Sequence, residues 1–114
     1  RTEITIIFNL NPDGSEYDHA SGTYLSWRKN RQPTPGSAEI GTDINRNFVY
    51  RWGTSPANES PAGPTYRGPA AWSTPEATAF KRYIEGRIIE GEQQVRVHVT
   101  FHPTPLLPNT AALP

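Results

Sequence analysis

Residues 73–102 read STPEATAFKRYIEGRIIEGEQQVRVHVTFH, and their reading decides the fold class. Ser73-Thr74-Pro75-Glu76 supplies a hydroxyl cap, a proline suited to the first helical turn and an acid where a capping box expects one, so a helix is predicted to start there. Ala77, Phe80, Ile84 and Ile88 then fall on one face at helical spacing, and Gly91 is the expected stop. Next, Val95, Val97, Val99 and Phe101 alternate with Arg96, His98 and Thr100, the period of a strand with one apolar face. That strand delivers His102 at its carboxyl end.

Upstream, Glu3–Leu10 is rich in β-branched and aromatic residues and runs into Asn11-Pro12-Asp13-Gly14, predicting a buried strand followed by a tight turn. Between Ser15 and Thr74 no period is sustained, and Pro and Gly interrupt the chain repeatedly. A long irregular stretch that holds three Trp within a compact chain is expected to be functional rather than loose. The order strand, long loops, helix, strand predicts an α/β fold, with ligands collecting beyond the carboxyl ends of the strands.

Composition narrows the chemistry. With 11 Lys and Arg against 11 Asp and Glu, nothing steers the molecule toward nucleic acid or an anionic membrane. No apolar run reaches membrane-spanning length. The absence of Cys excludes disulfides and thiolate chemistry, so any metal would be held by His, Asp or Glu. The chain opens without Met directly into a strand-like stretch and reads as a segment of something longer, with one domain at most.

Two loops could carry chemistry: Trp27-Arg28-Lys29-Asn30-Arg31, and Gly41-Thr42-Asp43-Ile44-Asn45-Arg46-Asn47-Phe48. Guanidinium forks match a carboxylate in a planar two-bond geometry, and a neighbouring Asn amide adds a further donor. The plainer alternative is that Arg28 and Arg31 are solvated, or pair with Asp13, Glu16 or Asp43. Asp43-Ile44-Asn45-Arg46-Asn47 imitates the start of a calcium loop but fails it, with Phe48 in place of Gly and Thr54 in place of the closing Glu. Asn58-Glu59-Ser60 fits the glycosylation acceptor pattern, a match three residues often make by chance. His102 could ligate zinc, although a histidine closing an apolar strand is more often packed; His98 should lie at the surface or against a helix.

Taken in order, the Asn11–Gly14 turn, the Trp27–Arg31 motif, Gly41–Phe48, Tyr66-Arg67-Gly68-Pro69-Ala70-Ala71 with Ser73–Glu76, and Thr100-Phe101-His102 resemble the funnelin-type (M14) zinc carboxypeptidases, in particular the bacterial carboxypeptidase T branch. The resemblance covers Glu3–His102. It implies an α/β mixed-sheet fold, a Zn2+ cofactor, secretion, and peptide or protein substrates with a free C-terminus. It further implies that Arg28 polarises the scissile carbonyl and stabilises the oxyanion, that Asn45 and Arg46 bind the terminal carboxylate, and that His102 is one of three zinc ligands. Arg31, Asn47 and the Tyr66–Ala71 loop are then structural. The His-x-x-Glu pair of ligands, the general-base Glu and the capping Tyr of that family have no counterpart in residues 1–114, so the segment alone is expected to be inactive. A non-catalytic product that keeps only the grip on a carboxylate is the alternative. After His102 the Pro-rich stretch 103–114 departs from the family pattern; it is expected to be non-homologous and disordered, as a slipped reading frame would produce.

Overall fold

The computed structural model describes residues 2–54 and 56–102; the predicted tail, 103–114, lies outside them. Two helices, α1 (Pro12–His19) and α2 (Pro75–Glu85), flank a 3-10 turn (Ile44–Arg46). A short antiparallel hairpin, β1 (Ile88–Ile89) and β2 (Glu92–Gln93), follows α2.

α2 begins where the sequence places it. Thr74 Oγ1 accepts the Ala77 N–H at 3.2 Å, Pro75 opens the first turn, and Glu76 sits at the positive end of the helix dipole. The predicted end does not hold, because Gly86 caps the helix through its N–H to Arg82 O at 2.9 Å. Ile88 leaves the helical face and pairs with Gln93. Glu90 and Gly91, at φ +52° and +80°, form the hairpin's tight turn, whose hand requires positive φ at both positions. Gly91 is therefore a turn residue rather than a helix stop.

Asn11-Pro12-Asp13-Gly14 is likewise a helix start and not a free turn. Asn11 Oδ1 accepts the Gly14 N–H at 3.2 Å, while Asn11 Nδ2 donates to Lys29 O at 3.1 Å. The residues that favour turns also favour N-caps, and the tertiary bond to Lys29 selects the cap. Gly14 is required by closeness: a Cβ there would stand 2.5 Å from Lys29 O.

Neither predicted strand forms a ladder among the described residues. Ile4 and Phe8 are 79% and 94% exposed, and Val97 and Phe101 78% and 91%. The period-2 pattern is present, but a strand exists only when a neighbour supplies the other half of its hydrogen bonds, and residues 3–10 and 95–101 find no partner strand among the described residues. Both stretches nevertheless reach α2. Tyr83 Oη donates to Thr5 Oγ1 at 2.8 Å, Arg87 ion-pairs with Glu3, and the His98 ring lies 5.0 Å from that of Phe80. His98 thus faces the helix.

The centre is more polar than apolar. Ile44, Tyr66 and Ala77 are buried beside Asp18, Lys29, Asn30, Thr42, Asp43, Asn47 and Thr74. An aromatic group of Phe48, Trp72 and Phe80, with edge-on ring separations of 5.2 and 6.0 Å, joins the 3-10 turn to α2. Such a core needs its polar groups paired, and the irregular stretch between the helices pairs most of them through side-chain bonds, leaving Trp27 Nε1, Gln32 Oε1 and Asp43 Oδ2 buried without a directed partner among the described residues.

Candidate carboxylate-binding site

Asn30 and Asn47, both fully buried, fix the two loops that carry the candidate residues. Asn30 bonds to both loops: its N–H donates to Thr42 O at 2.9 Å, its Oδ1 accepts the Thr42 N–H at 2.8 Å and the Gln32 N–H at 3.4 Å, and its Nδ2 donates to Glu76 Oε2 at 2.9 Å. The Arg28 loop is thereby laid along the strand-like stretch before Asp43 and tied to the first turn of α2. Gly41, at φ +90°, permits this contact, since a Cβ would meet Asn30 O at 2.2 Å.

Asn47 does the same for the second loop. Its Nδ2 reaches Arg67 O, Ala70 O and Ser73 Oγ at 2.8–2.9 Å, and its Oδ1 accepts the Thr74 N–H at 2.9 Å.

Asp43 joins the two loops. Its Oδ1 accepts the Asn45 N–H at 3.1 Å and its backbone carbonyl accepts the Arg46 N–H at 2.9 Å, so it caps the 3-10 turn bearing Asn45 and Arg46. Its Oδ2 lies 2.8 Å from Arg28 Nη2. That oxygen is buried and takes no well-directed hydrogen bond, so the contact is one of charge more than direction. Of the three acids weighed as partners for Arg28, Asp43 is the one that pairs with it. Burial pushes the Asp43 carboxyl above its ordinary value, against the opposing pull of Arg28 and then Arg46.

Arg28 remains half exposed beside this buried carboxylate. Asn45 is exposed, and no hydrogen bond engages its side-chain amide among the described residues. Arg46 donates from Nε to Pro56 O at 2.7 Å and from Nη1 to Asn45 O at 3.3 Å, which fixes the plane of the guanidinium. Both border an open cleft of about 540 Å³, with Phe48, Tyr50 and Arg51 on its other walls. The guanidinium groups of Arg46 and Arg51 and the Asn45 amide share this cleft, with no acid in its lining, and can take an anion; Arg28 does not line it and joins it only through Asp43.

His102 does not line this cleft. It is exposed and makes no hydrogen bond or ion pair among the described residues. Arg31 is taken up by packing, its guanidinium 3.6 Å above the Tyr17 ring and 4.8 Å above the Trp27 ring. Asn58 is partly buried, with Oδ1 accepting from the Thr65 N–H and hydroxyl at 3.1 and 2.6 Å, so its side chain is held within its own loop.

Sequence reasoning missed the linking role of Asp43 and of Asn30. The capping type of Asp43, two residues before Asn45, was a usable signal; nothing local points to Asn30, whose partner Glu76 is 46 residues away.

The family model described as "Zinc carboxypeptidase", Peptidase M14, matches residues 1–107. The chain belongs to this family. A zinc carboxypeptidase of Saccharothrix mutabilis subsp. capreolus is 40% identical over 100 residues, covering 88% of this chain and 23% of that protein. Mast cell carboxypeptidase A of Rattus norvegicus is 41% identical over 76 residues, covering 67% and 18%. Among solved structures, the carboxypeptidase A of Helicoverpa armigera superposes with a TM-score of 0.58 at 38% identity, covering 69% of this chain and 19% of that one. Bovine thrombin-activatable fibrinolysis inhibitor, in complex with a tick carboxypeptidase inhibitor, gives 0.63 at 34% identity, covering 69% and 26%. The chain therefore spans about a quarter or less of the length of these relatives, and it is a partial segment of the α/β carboxypeptidase fold.

Zinc is the cofactor of the family. Among the described residues, however, no three His, Cys, Asp or Glu side chains gather where they could hold a metal ion. A catalytic zinc needs three protein ligands, so these residues do not form a zinc site by themselves.

Proposed function

We propose that this M14 segment supplies the substrate grip of a secreted metallocarboxypeptidase, which removes C-terminal residues from peptides and proteins. Asn45 and Arg46 bind the terminal carboxylate, and Arg28 stabilises the oxyanion that forms at the scissile carbonyl. The observation that carries this reading is Asp43, which contacts Arg28 with one oxygen and caps the turn of Asn45 and Arg46 with the other. One buried carboxylate thus sets the separation between the two substrate-binding elements, as an enzyme that cuts at a fixed distance from a chain end requires. A free carboxylate satisfies the Arg46 donors that Pro56 and Asn45 do not take, whereas an internal peptide leaves those donors without a charged partner.

His102 enters the proposal as one zinc ligand, with the others contributed from outside residues 1–114. No step through the metal follows from the residues described. On this reading the segment by itself hydrolyses no peptide and retains only the capacity to bind carboxylates; the alternative is a non-catalytic product that keeps that grip alone.

Steady-state kinetics on the intact protein test these assignments. Arg28→Ala should lower kcat by about 10²–10³-fold, the usual cost of removing one oxyanion donor. Arg46→Ala should act chiefly on KM. Equal effects of the two variants on KM alone would remove Arg28 from the chemistry.

A further inference from the structure

The turn that carries the chain into Arg28 is held from behind by a carboxylate that takes no part in the carboxylate-binding site. Asp18, near the end of α1, is only 5% exposed. Its Oδ1 accepts the Leu25 N–H at 3.0 Å and the Trp27 N–H at 2.7 Å. Two amides two residues apart converge on one oxygen when the residue between them bends sharply, and Ser26 has φ +58°, in the left-handed region that disfavours a side chain with a Cβ. Such a conformation persists only where its surroundings impose it, and two hydrogen bonds converging on one buried side-chain oxygen are a strong means of doing so.

The same turn of α1 also anchors the residues on either side of Arg28. The Tyr17 and Trp27 rings meet edge-on at 5.0 Å, with the Arg31 guanidinium over both. Lys29 Nζ donates to Pro61 O at 2.8 Å, and Asn30 is fully buried. The neighbours of Arg28 are thus committed to the scaffold, while its own guanidinium stands half exposed against Asp43.

We infer that Asp18 is a positioning residue for Arg28: by imposing the left-handed bend at Ser26 it fixes where the Arg28 side chain departs and so where its guanidinium meets a developing oxyanion. The inference rests on the reading of Arg28 as the oxyanion-stabilising group. It separates Asp18 from residues that merely stabilise, because its removal should be felt in the transition state and should be relieved by anything that restores the bend.

Kinetics on the intact protein, well below the Tm of each variant, provide the test. Asp18→Ala should lower kcat by about tenfold or more with KM within about twofold, since small displacements of a catalytic group are costly. Asp18→Asn, which retains the Oδ1 acceptor, should recover most of that loss. Adding Ser26→Gly to Asp18→Ala should recover part of it, because glycine adopts the bend without the clamp. A loss confined to KM, an unchanged kcat with a lowered Tm, or a kcat loss relieved by neither substitution would overturn the inference. Should the wild-type protein hydrolyse no peptide, the carboxypeptidase reading falls, and the positioning claim is read separately from the hydrogen exchange of the Arg28 side-chain Nε–H by NMR. Asp18→Ala should accelerate that exchange several-fold; an unchanged rate would contradict the claim.

Discussion

Asn47 Oδ1 accepts the Thr74 N–H at 2.9 Å, so the residue that follows Arg46 is bonded directly to the cap of α2. With Nδ2 shared among Arg67 O, Ala70 O and Ser73 Oγ, the fully buried Asn47 side chain closes the 3-10 turn onto the loop before the helix. Asn47→Ala would strand several buried groups at once, and should destabilise the protein by on the order of 3 kcal/mol or more. Asn47→Asp should also destabilise, because it points a carboxylate at two carbonyl oxygens. Urea unfolding measures both; a loss below about 1 kcal/mol for Asn47→Ala would show that the loops are not joined here.

Thr74 tests the same junction from the helix side. Thr74→Ala removes the acceptor for the Ala77 N–H and should cost about 1 kcal/mol, while Thr74→Ser should cost much less. Equal Tm losses for the two variants would mean that methyl packing, rather than the cap, is what Thr74 contributes.

Asp43 makes a pH-dependent prediction. Burial raises its carboxyl above the ordinary 3.8, outweighing Arg28 and Arg46. A carboxyl raised in the folded state binds its proton more tightly there than in the unfolded chain. Its favourable contribution is therefore complete below the unfolded value and is lost as pH rises through the folded one. Asp43→Asn retains an acceptor for the Asn45 N–H but cannot ionise. On acidification from about pH 7 to about pH 3, wild-type stability should therefore rise relative to the variant. A fall instead would mean that the Arg28 contact outweighs burial.

Those junctions also mark what the sequence could and could not disclose. α2 was legible because its signals are local: Thr74, Pro75 and Glu76 lie side by side and act on the nearest backbone. The alternation of Val95, Val97, Val99 and Phe101 was equally plain, yet pairing is a property of two segments, and the exposed Val97 and Phe101 have no partner strand among the described residues. Asn11-Pro12-Asp13-Gly14 misled because caps and turns draw on the same residue types; the bond from Asn11 to Lys29, 18 residues on, decided between them. In the candidate site, Asn45 and Arg46 are adjacent in sequence and share one short turn, so their proximity, though not what they bind, follows from the sequence. The meeting of Arg28 with Asp43 was one possibility among three acids, and the bonds of Asn30 and Asn47 span 46 and 27 residues, distances over which no periodicity speaks.

The central claim is that Arg46, with Asn45, grips a free terminal carboxylate. It is tested most directly by comparing hydrolysis of a blocked dipeptide bearing a free C-terminal carboxylate with that of its C-terminal amide, in the intact wild-type protein and in Arg46→Ala. The account predicts a preference for the acid of at least about a hundredfold in kcat/KM, as expected when a charged partner is lost, and its collapse in the variant. Equal cleavage of acid and amide by the wild-type protein, or a preference untouched by Arg46→Ala, would contradict it.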